Sequence, residues 1–133
     1  YAAAGTPLAS GSTYYDAATV DLLARVITHE SGNQPLEGKI AVGNVILNRV
    51  ASSQFPNTIK GVIFQANQFS PVSNGSIYNT PSTQSVIAAK LVLEGADVVG
   101  ASLYFLAPSL ASTHWIMANR DYVATIGAHW FYR

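Results

Sequence analysis

The chain of 133 residues contains no cysteine. Disulfide frameworks, thiol nucleophiles and thiolate metal sites are therefore excluded as explanations of its fold or chemistry. Charged residues are also scarce, at 11%, and seven basic side chains balance seven acidic ones. This balance gives no electrostatic reason to expect a nucleic acid, whose binding depends on neutralised phosphates, or an anionic membrane surface. Neutral ligands such as sugars fit the composition, as do many other ligands.

No apolar run reaches the roughly 18–20 residues that a membrane-spanning helix needs, so we expect no membrane insertion. Residues 1–13 have no initiator Met, no basic segment and no apolar segment, which is typical of a mature or trimmed product. Residues 1–15 are small and polar and are interpreted as an arm or linker remnant. We expect residues 16–133 to form one domain with a core of its own.

Two helices are predicted in the first part of this domain. Asp16 is a candidate N-cap, and one helix face carries apolar residues at the i, i+3, i+4, i+7 spacing. These residues are Val20, Leu23, Ala24 and Ile27. The helix should end around Gly32 and Asn33. A second helix is predicted with Pro35 at its first helical position, Glu37 in its first turn and one apolar stripe. The stripe consists of Leu36, Ile40, Gly43, Leu47 and Val50.

The remainder is predicted to be shorter and more mixed. We expect a helical turn over residues 58–64, a loop over 65–80, and a third helix from residue 81 to Gly95. A strand is expected over 102–106, an irregular region at Trp115 and Ile116, a short helix over 122–126 and a final strand over 129–132. The sum is an α+β domain that is mainly helical and has a small β element.

Glu30 is the candidate catalytic residue because of its position at the end of an apolar helix. Val26 and Ile27, one turn earlier, should place its side chain beside the core. Partial burial would raise the pKa of this carboxyl group above about 4.3, toward the ~6 that suits a general acid. The alternative is an ordinary surface glutamate near a helix end.

Other catalytic chemistries have weaker support. His29 points about 100° away from Glu30 on a helix, so it either lies in solvent or bonds a terminal carbonyl. His114 and His129 are far apart, and neither an HExxH pattern nor a ligand-spaced cluster is present, so we expect no metal and no cofactor. The nucleophile elbow of serine hydrolases is absent.

Aromatic and amide side chains have both a structural and a binding interpretation. We expect Phe105 and Phe131 to lie in the core, whereas Tyr78 and Tyr104 could flank a groove and stack on sugars. Asn44 and Asn48 lie one turn apart on the second helix. Solvent exposure or hydrogen bonding to a loop is the favoured interpretation of this pair.

Longer motifs resemble the catalytic domain of the SleB/CwlJ family of bacterial cell wall hydrolases. The motifs run in the family's order and spacing through nearly everything after Asp16. They include Ala24-Arg25-Val26-Ile27-Thr28-His29-Glu30, Pro35-Leu36-Glu37-Gly38-Lys39-Ile40-Ala41-Val42, Val45-Ile46-Leu47-Asn48-Arg49-Val50, Phe55-Pro56-Asn57-Thr58, Gly61-Val62-Ile63-Phe64, Gln68-Phe69-Ser70, Gly75-Ser76-Ile77-Tyr78, Leu103-Tyr104-Phe105 with Pro108, Trp115-Ile116, and Ile126-Gly127 with His129 and Phe131.

The resemblance implies a lysozyme-like fold and a peptidoglycan glycan strand as the partner. It also implies cleavage between N-acetylmuramic acid and N-acetylglucosamine, with Glu30 as the acid and base. The protein would be an exported monomer that acts on the spore cortex or the cell wall. We expect substrate binding by Gln68, Phe69, Ser70, Tyr78 and Tyr104. Gly32 and Gln34 depart from the family, which usually has Ala-Arg-Gly-Glu after the glutamate. We expect this departure to affect the substrate preference more than the reaction.

The reaction needs either one or two carboxylates. Common glycoside hydrolases need two, and no partner for Glu30 stands out among the other six acidic residues. A one-carboxylate reaction, in which the muramic C6 hydroxyl attacks C1 and gives a 1,6-anhydro product, avoids this need. Hydrolysis by a lysozyme-type muramidase is the alternative. A peptidoglycan-binding or spore-assembly module that has lost activity is a hypothesis of another class.

Overall fold

The computed structural model describes residues 17–65, 79–107 and 115–133. The predicted arm, the Asp16 cap and most of the predicted loop therefore lie outside the described residues. The helices are α1 (Ala17–Ser31), α2 (Leu36–Ala51), α3 (Ile59–Ile63), α4 (Thr83–Leu93) and α5 (Trp115–Asn119), and the strands are β1 (Tyr104–Leu106), β2 (Tyr122–Ile126) and β3 (His129–Tyr132). The predicted α+β class, mainly helical with a small β element, is confirmed.

The first two helices follow the apolar periodicity closely. Helix α1 ends at Ser31, directly before Gly32, as predicted. Pro35 is the N-cap of α2 in an extended conformation, with φ −62° and ψ 165°, so its predicted place as the first helical residue is wrong. Its carbonyl already accepts the first helical hydrogen bond, from the Lys39 amide at 3.1 Å. This combination of extended backbone and bonded carbonyl defines an N-cap.

Side-chain caps begin the next two helices. The Thr58 hydroxyl accepts a hydrogen bond from the Gly61 amide at 2.9 Å, and α3 follows within the predicted 58–64 segment. The Ser82 hydroxyl accepts from the Ser85 amide at 3.1 Å and begins α4. Gly95, with φ 104°, ends the segment as predicted, because this backbone conformation carries little steric penalty only for glycine.

The three strands form an antiparallel sheet in the order β1-β3-β2. The helix predicted over 122–126 is wrong, since these residues form β2. Tyr, Val, Thr and Ile all suit a pleated strand, and β3 supplies the partner that local periodicity could not show. The irregular region predicted at Trp115 and Ile116 is also wrong, because both lie in α5. The strand predicted at 102–106 is present over its last three residues as β1, and the strand predicted at 129–132 is present.

Two apolar clusters lie on opposite sides of α2. The larger cluster fills the space between α1, α2 and α4 and includes Ile27, Ile46 and Val92. The smaller one joins α2 to the sheet through Val45 and Phe131. Phe131 is fully buried, and half-buried Phe105 packs against both clusters, so the core prediction for both is confirmed. Helix α2 therefore holds the helical part and the sheet together.

Gly43 is the point of close approach between α2 and α4. A Cβ atom at this residue would lie 2.8 Å from Cγ2 of Val92, a stiff and buried side chain. We expect Gly43→Val to lower the free energy of unfolding by about 1–3 kcal/mol, because overpacking must push the helices apart. Urea unfolding measures this change. Ala51→Val at the exposed end of the same helix is the control, expected within about 0.5 kcal/mol of the parent. Equal midpoints for both variants would contradict tight α2–α4 packing.

Candidate active site

Glu30 lies in the last turn of α1, one residue before the helix ends. Val26 and Ile27, on the preceding turn, are both fully buried. The Glu30 side chain is half-buried, so its expected position beside the core is confirmed. The adjacent His29 is exposed, which is one of the two positions that its helical phase allowed.

A buried lysine fastens the turn that follows Glu30. The Lys39 side chain is only 1% exposed. Its ammonium group donates to the carbonyl of Gly32 at 3.2 Å and to the carbonyl of Gln34. Burial lowers the pKa of Lys39, because the charged form loses hydration. Lys39 thus binds two carbonyls of the turn that connects α1 to α2 and sets where Glu30 lies relative to α2.

The same turn holds the tip of the β2–β3 hairpin. The Gln34 side-chain oxygen accepts a hydrogen bond from the Ala128 amide at 2.8 Å, and its NH₂ group donates to the Asn33 side chain at 3.1 Å. Gly127, with φ 58°, forms the turn beside it. The amide at position 34 therefore has a structural role that joins the sheet to the turn after Glu30.

The end of the predicted binding loop lies against α1. The Arg25 guanidinium donates to the Asn79 carbonyl at 2.7 Å, and the Ser82 amide donates to the Thr28 hydroxyl at 3.0 Å. Arg25 is five residues before Glu30, or about 7.5 Å along the helix axis. Four residues expected to bind substrate lie outside the described residues: Gln68, Phe69, Ser70 and Tyr78. Their roles stay predictions.

Tyr104, the fifth expected binding residue, belongs to a cluster of rings and guanidinium groups. Its half-buried ring lies 6.2 Å from Phe55 and 6.5 Å from Trp115, in edge contacts. The guanidinium carbons of Arg49 and Arg120 lie 5.6 and 5.1 Å from its centre. Such cation–π contacts hold the ring in place, so Tyr104 is better placed as a rigid wall than as a free stacking surface. Its contact with substrate stays a prediction.

Asn44 and Asn48 bind the segment before β1. Asn44 donates to the Ala96 carbonyl at 2.7 Å and accepts from the Val98 amide at 3.0 Å. Asn48 donates to the carbonyls of Gly100 and Ser102 at 2.7 and 2.9 Å. The predicted hydrogen bonding to a loop is confirmed, and this loop carries the chain from α4 to the sheet.

Two of the other carboxylates have local structural partners. Asp21 forms an ion pair with Arg25 at 2.6 Å. Asp97 accepts from the amides of Val99 and Gly100 at 3.1 and 2.9 Å. Glu37 is exposed in the first turn of α2.

The described residues include no group of three or more His, Asp or Glu side chains that could hold a metal ion. No helix in the same ranges is both long and apolar enough to cross a bilayer.

His129 is buried between two phenylalanine rings. It is 6% exposed, and its ring centre lies 5.3 Å from that of Phe105 and 6.3 Å from that of Phe131. Its Nδ1 atom has no hydrogen-bond partner among the described residues. Burial lowers the pKa of His129, so the ring is neutral at neutral pH.

Sequence reasoning missed Lys39, and it named Gln34 only as a departure from the family and missed its structural role. Lys39 lies three residues after Leu36 and four before Gly43, within the apolar stripe of α2, and a lone cation in such a stripe is the signal that could have identified it. Gln34 carried no comparable signal, because its partner Ala128 is 94 residues away.

The chain is similar in sequence and fold to known proteins. A family model described as Cell Wall Hydrolase matches residues 33–132. The spore cortex-lytic enzyme of Bacillus cereus is 39% identical over 127 residues, which cover 96% of this chain and 48% of that enzyme. The spore cortex-lytic enzyme of Bacillus subtilis is 37% identical over 112 residues, 84% of this chain and 36% of that enzyme. The chain thus spans half the length or less of these two curated relatives.

A solved structure matches over most of its length. The catalytic domain of the germination-specific lytic transglycosylase SleB from Bacillus anthracis is 38% identical and superposes with a TM-score of 0.85. The match covers 90% of this chain and 97% of that domain. The family model begins three residues after Glu30. The alignment with the B. cereus enzyme, at 96% of the chain, includes Glu30.

Lys39→Met should loosen the turn after Glu30. Methionine fills a similar volume but leaves the carbonyls of Gly32 and Gln34 without their donor, which should lower the free energy of unfolding by about 1–2 kcal/mol. Urea unfolding at neutral pH measures the loss. Lys60→Met is the control, because Lys60 is exposed on α3 and its change should be near zero. A Lys39 variant as stable as the control would show that the turn does not depend on the ammonium.

His129 should make the fold sensitive to mild acid. Its folded pKa is below the unfolded value of 6.5, so below about pH 6.5 the unfolded chain binds the proton more readily. Stability is therefore full above that pH and falls as the pH drops toward the lowered folded pKa. His129→Gln should show a smaller decrease between about pH 7.5 and about pH 5 in urea unfolding. Ala51→Val, which changes no titratable group, should retain the parent's pH profile, and identical profiles for all three proteins would contradict this role of His129.

Proposed function

Because the chain belongs to the cell wall hydrolase family, we propose that it is a peptidoglycan lytic transglycosylase with Glu30 as its acid and base. One observation carries the proposal. Glu30 is half-buried and follows the fully buried Val26 and Ile27 of the preceding turn, in a fold that superposes on a lytic transglycosylase catalytic domain with a TM-score of 0.85. A carboxyl group at this place lies beside the core and partly outside it, where a substrate oxygen can reach it.

The reaction needs one carboxyl group and no water. Protonated Glu30 donates its proton to the glycosidic oxygen as the bond between C1 of N-acetylmuramic acid and this oxygen breaks. The resulting carboxylate accepts the proton of the C6 hydroxyl while O6 forms a new bond to C1. The products are a free N-acetylglucosamine hydroxyl and a 1,6-anhydro muramic end, and Glu30 is protonated again. Intramolecular attack has a large effective-molarity advantage over attack by a separate molecule.

Three of the described carboxylates are consistent with this one-residue reaction. Asp21 and Asp97 already have local partners, and Glu37 is exposed. A two-carboxylate hydrolase would need a second group about 5–9.5 Å from Glu30 on the other side of the sugar. The hydrolytic muramidase therefore remains the second candidate, to be distinguished by its product.

The substrate we propose is the glycan strand of spore cortex, cleaved during germination. The support is the pair of Bacillus relatives named as spore cortex-lytic enzymes and the solved domain named as germination-specific. The protein would then act outside the cytoplasm, in the cortex or the wall. A non-catalytic binding module is the competing idea, motivated by Gly32 and Gln34. The hydrogen bonds of Gln34 to Asn33 and Ala128 give its departure from the family a structural explanation instead.

Glu30→Gln should abolish strand cleavage while retaining the fold. The amide keeps the shape of the side chain and removes the transferable proton, so the rate should fall by roughly 10²–10⁴-fold. Loss of turbidity of cortex and vegetative wall suspensions measures the rate. Glu37→Gln is the matched control, because it makes the same change on an exposed carboxylate seven residues away and should leave the rate near that of the parent.

Mass spectrometry of the products decides between the mechanisms. We expect muramic ends in the 1,6-anhydro form. Ends that are one water heavier would show hydrolysis and reject the transglycosylase. Absent lysis by the parent, with binding retained, would support the non-catalytic module. Lysis by Glu30→Gln at the parent rate would reject Glu30 as the acid.

A further inference from the structure

The outer face of the sheet, away from α2, carries a groove that the proposed reaction does not use. Its volume is about 570 Å³, within the ~300–1,000 Å³ typical of small-molecule sites. It lies between the sheet and the connection from α5 to β2. Residues that line it include Arg120, Asp121, Tyr122, Thr125, Trp130 and Tyr132. None of them was predicted to bind substrate.

A β-bulge builds this groove. Tyr122 pairs with Tyr132 and Thr125 pairs with Trp130, with a register shift between Tyr122 and Ala124. Residues three apart on a regular strand point to opposite faces, but the extra bulge residue brings Tyr122 and Thr125 to the same face. Their hydroxyl groups lie 2.7 Å apart, which confirms that both side chains project together. Bulges of this kind are often found where a side chain must be re-aimed toward a site.

The chemistry of the lining suits a neutral, polar and partly apolar ligand. Tyr122 is 57% exposed, and its ring is held edge-on by Tyr132, with centres 5.7 Å apart. Exposed tyrosine rings that are fixed in orientation offer an apolar face and a hydrogen-bonding tip. Arg120 and Asp121 supply one charge of each sign, so the groove has polar groups without a net charge from this pair. A sugar has this combination of C–H faces and hydroxyl groups, whereas a polyanion would need an excess of cations.

One end of the groove lies next to the β2–β3 hairpin, whose tip is bonded to the turn that follows Glu30. The Thr125–Trp130 pair is adjacent to the Ile126–His129 pair, which flanks the hairpin tip. At that tip the Ala128 amide is bound by Gln34, four residues after Glu30. From there the groove extends along β3 from Trp130 to Tyr132, about 7 Å for two residues at the rise of a strand. A linear polymer held here would therefore have one end directed to the Glu30 turn.

We propose that this groove is a distal glycan subsite, which binds sugars of the same strand several units away from the bond cleaved at Glu30. The proposal rests on the proposed function, because it assumes a glycan strand as substrate. The subsite lengthens the bound stretch of strand and favours long strands over short fragments. The aromatic wall of Tyr122 supplies the contact, and Arg120 and Asp121 bind hydroxyl or N-acetyl groups.

Strand length is the variable that tests the subsite. The parent, Tyr122→Ala and Tyr122→Phe are assayed on two peptide-free substrates. One consists of long glycan strands, and the other is the shortest glycan oligosaccharide that the parent cleaves. For Tyr122→Ala we expect KM on long strands to rise about tenfold, with kcat and the short-substrate rate unchanged. Tyr122→Phe retains the ring and should stay within about twofold to threefold of the parent. Val98→Ala, which truncates an exposed apolar side chain outside the groove, is the control.

Binding is measured separately from cleavage. The chain has two tryptophans, so Trp115→Phe leaves Trp130 in the groove as the only indole. In the Glu30→Gln, Trp115→Phe protein, titration with long glycan strands should change Trp130 emission in a saturable manner, and short oligosaccharide should not. This titration keeps Tyr122 intact, so it remains decisive if Tyr122→Ala fails to fold.

The outcomes separate the two proposals. Unchanged Trp130 emission, or a Tyr122→Ala effect that is equal on long and short substrates, would overturn the distal subsite. Cleavage by Glu30→Gln at the parent rate would overturn the proposed function, while saturable emission changes would still show that the groove binds glycan. Loss of long-strand affinity together with an intact short-substrate rate would support both.

Discussion

The buried ammonium of Lys39 is the interaction on which the site depends. It binds the carbonyls of Gly32 and Gln34 and so fastens the short turn between α1 and α2. Burial of a charge is costly unless hydrogen bonds compensate it, and here two backbone acceptors do so. The half-buried carboxyl of Glu30, just before this turn, is thereby placed by the packing of α1 and by the anchoring of its exit.

The same turn connects the helices to the sheet. Gln34 holds the Ala128 amide at the hairpin tip, and Phe131 packs against α2 from the inner face of the sheet. The inner face is thus used for the core, which leaves the outer face and its bulge for a ligand. A glycan strand that follows the outer face and reaches Glu30 would contact both the outer groove and the site beside the turn that Gln34 holds. Gln34 and Phe131 join the helices to the sheet, so few protein groups must become ordered when a polymer substrate binds.

The predictable parts of this chain were those set by local pattern. The apolar spacing on α1 and α2 and the Gly95 stop have short-range causes, and the corresponding helices are present. The strand at 122–126 was predicted as a helix, because five residues with mixed polarity carry no clear period and the deciding partner, β3, is a tertiary feature. The bulge that joins Tyr122 and Thr125 on one face has the same origin.

The sequence by itself determined the family, the mainly helical α+β class and the candidacy of Glu30, because long motifs in order and a carboxyl at the end of an apolar helix are properties of the linear chain. Tertiary structure alone decided which carbonyls Lys39 binds, that Gln34 holds Ala128 and that a groove lies on the outer face of the sheet. The physical reason is that hydrogen bonds and aromatic contacts between residues far apart in the chain depend on folded distances, and no local pattern encodes those distances.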